Sequence, residues 1–377
     1  MTGWSGVKVT CGALVALLAT AWLLNGCTTE AAPTANTPVT SILTARDSGL
    51  NVKWQKQVGM AVSRHEKVEG IWRVADMVYV ATSEHQIHAI DARQGTLSWT
   101  SDLGTYGYEI FRPVELGNGA ILIASQSQLF VLNKKSGEII NQAALTFAAT
   151  TDPVVADQTL VLGSSGDKMY GLYLDFLGRI KWSHWSRDDA FNSSPALSFG
   201  KQVMVASKLG FIWSLNAADG EAVWARRRVG GEVTAPLAVD PKAVYVAALD
   251  NKVYAFDALK GDHLWDTYLE GKLDQAPLTP GGSVYVVGSG KGLYSLTVDK
   301  GEIKWFVPGV KRVLARAPDR LLALDEQSNL LVIASDTGTV DKTLPMPGVS
   351  RWAFNTIDGT AYGVTPDGRV VAMEILR

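Results

Sequence analysis

From about residue 50 onward the chain repeats one pattern: an apolar run, a polar turn, a second apolar run, a glycine turn, and a third run carrying tryptophan. One copy reads Val78-Tyr79-Val80, then Ile87-His88-Ala89-Ile90-Asp91, then Gly95 and Trp99. The pattern returns as Val244-Tyr245-Val246, Val253-Tyr254-Ala255-Phe256-Asp257, Gly261 and Trp265. A third copy has Val284-Tyr285-Val286, Leu293-Tyr294-Ser295-Leu296, Gly301 and Trp305. Short apolar runs bounded by turn residues predict strands. The glycine supplies the positive φ that a tight hairpin needs.

The turn glycines Gly95, Gly137, Gly178, Gly220, Gly261, Gly301 and Gly338 recur every 37 to 42 residues. Trp99, Trp182, Trp224, Trp265 and Trp305 follow four residues after their glycines, while Asn141 and Lys342 hold that place in the other two copies. A second marker, Pro113, Pro153, Pro195, Pro236 and Pro277, keeps the same period and suits the first residue of a strand, where no N–H is needed. Four strands per unit at this period predict an all-β, eight-bladed β-propeller of four-stranded antiparallel blades. The eighth unit begins at Ala361 and ends at Arg377 one strand short. Val52-Lys53-Trp54-Gln55 has the form of the missing last strand, so the N-terminal strand is expected to close the ring and leave no open edge. The propeller is expected to occupy residues 50–377.

The first 49 residues follow other rules. Lys8 precedes an apolar run from Cys11 to Leu24, too short to span a bilayer and suited to the core of a signal peptide. It ends at Leu24-Asn25-Gly26-Cys27, which resembles a bacterial lipobox, so residues 1–26 are expected to be a lipoprotein signal peptide and Cys27 the lipidated residue. Residues 27–49 then form a flexible Ala/Thr/Pro-rich tether. Thr28, by resemblance to enterobacterial lipoproteins, implies outer-membrane rather than inner-membrane sorting, on the periplasmic face. The two cysteines, Cys11 and Cys27, both lie in this stretch and give the body of the chain no disulfide framework.

Composition narrows the function. Charged residues make up 19% and net charge is −2, so no basic field for nucleic acid is present. His85 and His88, three apart on an expected strand, should point to opposite faces and hold no metal. Gly288-Ser289-Gly290-Lys291-Gly292 lacks the hydroxyl residue and helix of a phosphate loop and is expected to be a plain strand turn. Asp91 and Asp257 are expected to bond their own turns. Neither a catalytic constellation nor a cofactor is expected.

The run Ala89-x-Asp91-x-x-x-Gly95-x-x-x-Trp99, repeated at Ala255, Asp257, Gly261 and Trp265, resembles the tryptophan-docking motif of PQQ-type propellers. In that family each Trp packs against the neighbouring blade, which implies a structural role for Trp54, Trp99, Trp182, Trp224, Trp265 and Trp305. One branch, the quinoprotein dehydrogenases, is enzymatic, uses a vicinal disulfide and is mostly longer. The lipobox, tether and bare ring resemble the other branch, the BamB-type lipoproteins. That resemblance implies a non-catalytic scaffold of the outer-membrane β-barrel assembly machinery, monomeric outside its complex, that binds periplasmic domains of a BamA-like protein. A lipid-anchored propeller serving another envelope complex or cell-wall component is the alternative, and a PQQ-dependent oxidoreductase a remote one. BamB proteins usually carry an Arg in the loop after the third blade and acids in the loop after the fourth; Arg187 and Glu232 lie in those loops, displaced from the usual positions. Candidate partner-binding residues are Tyr106, Tyr108, Phe111 and Arg112 after blade one, Trp185, Arg187, Asp188, Asp189 and Phe191 after blade three, and Glu232. Arg226-Arg227-Arg228 reads as a solvated blade edge on which Arg227 faces away from its neighbours.

Overall fold

A computed structural model of the chain describes residues 50–58, 66–104, 109–166, 168–185, 196–279, 281–346 and 348–375. The cysteines, the signal segment and the whole of the tether lie outside the described residues. The strands fall into eight antiparallel sheets, the blades of a propeller. In blade 1 the strands A to D are Val68–Val74, Met77–Thr82, Gln86–Asp91 and Leu97–Asp102. Strand A lies next to the central axis and strand D on the perimeter.

The middle strands B and C pack against neighbouring blades on both faces. Met77–Thr82, Ala243–Ala248 and Ser283–Gly288 are therefore buried at every position, and their side chains do not alternate between core and solvent. The perimeter strands of blades 1, 3, 4 and 5 instead bury the tryptophan alone, as in Leu97–Asp102 and His263–Tyr268. Eight apolar clusters hold the ring, each shared between consecutive blades, from blades 1 and 2 round to blades 8 and 1.

Between blades the tryptophans dock under the glycine turns. Trp99 Nε1 donates to Lys134 O at 2.8 Å, Trp182 to Ala217 O at 2.8 Å, Trp265 to Val298 O at 2.8 Å and Trp305 to Ser335 O at 3.2 Å. Trp224 packs in the same way beneath Gly261, but its Nε1 has no hydrogen-bond partner. Arg227 serves that junction instead: its Nε donates to Gly261 O while its guanidinium lies over the Trp224 ring. The turn aspartates act locally, Asp91 Oδ1 accepting from the backbone N–H groups of Arg93 at 2.9 Å and Gln94 at 2.7 Å.

The N-terminal strand, Leu50–Gln57, closes the ring by pairing with Arg369–Ile375 to complete blade 8. Trp54 Nε1 donates to Ala92 O of blade 1 at 3.0 Å. Gly95 has φ +70°, and a Cβ there would lie 2.5 Å from Trp54 Cδ2, so glycine is required on both counts. Lys342, in place of a Trp in blade 7, has a reason in this closure. Blade 8 takes its last strand from the other end of the chain, so it has no C–D hairpin turn for a Trp to dock beneath. At the junction of blades 2 and 3, where Asn141 stands, Phe147 and Tyr170 stack at 4.0 Å within the shared cluster.

The structure departs from sequence expectation in two places. Blade 6 has three strands, Ser283–Gly288, Gly292–Thr297 and Ile303–Pro308, and its inner position shrinks to a single bridge between Leu278 and Tyr285 beside Pro277. His85 is not on a strand: it sits in the B–C turn at φ 58°, one residue before strand Gln86–Asp91. Both His85 and His88 are buried.

His88 Nδ1 meets Thr100 Oγ1 at 2.9 Å, and burial holds its imidazole at about 4, below the usual 6.5. The folded state therefore favours the neutral ring. The stabilisation is complete above the ordinary histidine pKa and is lost as pH falls from there through about 4. A urea-midpoint profile should decline between roughly pH 6.5 and 4. The His88→Gln variant, whatever its absolute stability, should show a shallower decline; an identical slope would remove His88 as its source.

The candidate protein interface on the loop face

Antiparallel order places the D-to-A loops between blades and the B–C turns on one face of the ring, and the A–B and C–D turns on the other. Backbone bonds knit the first set together: Leu249 N donates to Glu232 O at 2.8 Å and Leu269 N to Asn251 O at 2.8 Å. Gln57 pairs with Arg369 beside a B–C turn, so the N-terminal strand starts, at Leu50, on the opposite face.

The rim of the loop face carries two sectors of different chemistry. On blades 3 and 4, Trp185 closes strand Ile180–Trp185 and is 54% exposed, and Leu209 in the next B–C turn is also 54% exposed. Phe211 opens strand Phe211–Asn216 opposite Arg228, and the guanidiniums of Arg226 and Arg228 lie 4.4 and 5.2 Å from its ring centroid. Alternation along strand Ala222–Arg228 explains the set: Arg226 and Arg228 share one side, and Arg227 turns inward to the glycine turn. This sector is apolar and cationic.

On blades 5 and 6 the rim is acidic and ion-paired. Lys252 meets Asp266 at 2.7 Å, Lys291 meets Glu270 at 3.1 Å and Lys272 meets Asp274 at 3.2 Å. Tyr254 donates to Asp250 and accepts from Gly230 N at 3.1 Å; burial, then the Asp250 carboxylate, push its hydroxyl up to about 12. Tyr268, at the end of strand His263–Tyr268, is 60% exposed.

The described residues offer no donor set for a calcium-bound quinone. Among the described residues no group of three or more His, Cys, Asp or Glu is placed to hold a metal ion. Both cysteines precede the propeller, so no vicinal disulfide can cover a cofactor there. Gly288–Gly292 forms the B–C turn of blade 6, as expected, with Gly288 and Gly292 paired across it.

A family model described as outer membrane protein assembly factor BamB matches residues 83–227 and 208–374. The chain belongs to the BamB family. The BamB of Salmonella typhimurium is 23% identical over 348 residues, 83% of this chain and 88% of that protein. The BamB of Moranella endobia is 23% identical over 252 residues, 61% of this chain but 64% of that protein, so the match spans under two thirds of its length. Among solved structures, BamB from Moraxella catarrhalis superposes with a TM-score of 0.68 at 15% identity, covering 86% of this chain and 97% of that one. Quinohemoprotein alcohol dehydrogenase from Comamonas testosteroni gives 0.62 at 14% identity, covering 88% and 77%. At such identities these structures share the fold alone.

Within this BamB-family propeller the sequence-derived candidates divide. Trp185 and Glu232 are exposed on the loop face. Phe111 is not offered to a partner: it is buried in the cluster between blades 2 and 3. Arg112 lines the axial channel, its backbone N–H donating to Asp152 Oδ1 at 2.9 Å. Tyr106, Tyr108, Arg187, Asp188, Asp189 and Phe191 lie outside the described residues. Sequence reasoning did not single out Leu209, Phe211 and Tyr268; Arg226 and Arg228, read as a solvated edge, are exposed, and both lie beside the Phe211 ring. Strand-period spacing between Arg226 and Arg228 was the available signal, but their aromatic partner lies across the hairpin and is invisible along the chain.

Proposed function

We propose that this chain is a non-catalytic, lipid-anchored scaffold of outer-membrane β-barrel protein assembly, which docks periplasmic domains of a BamA-like protein. Family membership carries the reading, and the rim sector of Trp185, Leu209, Phe211, Arg226 and Arg228 supplies a surface with the aromatic and arginine content that interfaces favour. Arg187, Asp188, Asp189 and Phe191 adjoin Trp185 in sequence and are candidates for the same partner. Cys27 would carry the lipid, and residues 28–49 a coil of r.m.s. reach roughly 25 Å. The ring-closing strand begins, at Leu50, on the face opposite the loops.

A photo-crosslinking residue at Trp185 or Leu209, with Leu259 on the opposite face as control, tests this reading in cells. The expected product joins the first two sites, and not the third, to a BamA-like protein. A different envelope protein in that product would replace the assembly role with the alternative. In purified components, charge reversal of Arg226 and Arg228 to Glu should weaken partner binding at least tenfold with thermal stability near wild type. Unchanged affinity would remove this sector from the interface.

A further inference from the structure

The axial channel falls into two halves that meet at Pro236, Ala276, Leu278 and Phe354. The half toward the C–D face, about 830 Å³, carries one cation, Arg112, beside the Asp152 carboxylate. The loop-side half, about 740 Å³, is different. Its charged walls are Lys311, Arg312 and Arg351 against the single carboxylate of Glu69. None of these four forms an ion pair among the described residues. Arg351 Nε donates to Val68 O at 3.0 Å, which fixes the side chain but leaves its charge unmatched.

Other arginines of this propeller are matched. Arg73 meets Asp358 at 3.4 Å, Arg320 meets Asp341 at 2.7 Å and Arg369 meets Asp367 at 3.1 Å. Arg312 has no such partner and, like Lys311 and Arg351, is exposed within the chamber. Cations that line a cleft without matching carboxylates focus a positive field there. A guanidinium presents a planar fork that fits the oxygens of carboxylate and phosphate. Trp72 and Phe354 line the same chamber and offer apolar surface beside the cations.

We propose that the loop-side half of the channel binds an oxyanion, carboxylate or phosphate, held by Lys311, Arg312 and Arg351, with Trp72 and Phe354 flanking the apolar stem that carries it. The site is independent of the rim sector assigned above to the partner.

The test is a thermal-shift and calorimetric titration of the purified full chain at constant chloride, using three probes. These are inorganic phosphate, N-acetylphenylalanine with its free carboxylate, and the uncharged amide of the same compound. The acid should bind at least tenfold more tightly than the amide, and Arg312→Gln should weaken oxyanion binding at least tenfold. Glu69→Gln, which removes the opposing charge, should tighten it severalfold and reports even if the Arg312 variant folds poorly. Binding of the acid without phosphate assigns the site to organic carboxylates; the reverse assigns it to phosphoryl groups. Measurable binding of acid and amide with equal affinity, no effect of either substitution on oxyanion binding, or no binding by any probe would overturn the proposal.

Discussion

Replacing Trp265 by alanine should destabilise the propeller by ~3–5 kcal/mol, read from denaturant or calorimetric unfolding. The side chain is buried, lies tilted against Tyr245 with ring centroids 5.8 Å apart, sits under the backbone of Gly301 and donates to Val298 O at 2.8 Å. Truncation therefore opens an inter-blade cavity and leaves a carbonyl unpaired. A finer comparison separates the two parts. Trp265→Phe removes the donor as well as some volume, whereas Trp224→Phe removes a donor that has no partner. The first should cost about 0.5–1.5 kcal/mol more than the second, the net worth of one hydrogen bond. Equal costs would mean that packing alone carries the staple.

Deleting residues 1–57 should abolish the single cooperative unfolding transition and drive the protein into large oligomers on sedimentation. Strand Arg369–Ile375 would lose its partner along the register from Leu50 to Gln57, and Val370 to Met373, fully buried, would face an open edge. Unpaired edges of apolar strands recruit other chains. The blade 8–blade 1 seam would also lose Trp54 and its bond to Ala92 O. Adding a synthetic peptide of residues 50–57 should restore a monomeric fraction. A truncated chain that stays monomeric with the wild-type midpoint would show that closure by this strand is dispensable.

The ring, its blade count and its closing strand were legible because their signals are local and repeated. A glycine at positive φ beneath a tryptophan leaves the same mark each time, and Trp54 stood out as a last strand lacking its blade. Other features depend on contacts that no spacing reports. Pro277 marks the inner position of blade 6 as it does in its neighbours, yet only the folded chain shows the strand there reduced to one bridge. Phe111 and Trp185 look alike in sequence, aromatic residues at loop edges; burial divides them because the blade 2–3 junction, where Asn141 replaces a staple, takes Phe111 into its core. The unmatched charge of Arg312 is hidden for the same reason. Its charged sequence neighbours, Lys311 and Arg316, show no missing partner, and walls that face it come from blades 6, 8 and 1.

The closing strand also has a mechanical meaning. Tension applied to Leu50 along the axis of its strand pulls parallel to the ladder with Arg369–Ile375. That geometry is shear: the backbone bonds from Leu50 to Gln57 resist together and must fail together. A hairpin tugged from its open end would instead unzip one pair at a time. The strand that seals the ring is thus placed to bear load at the point where an anchor would transmit it.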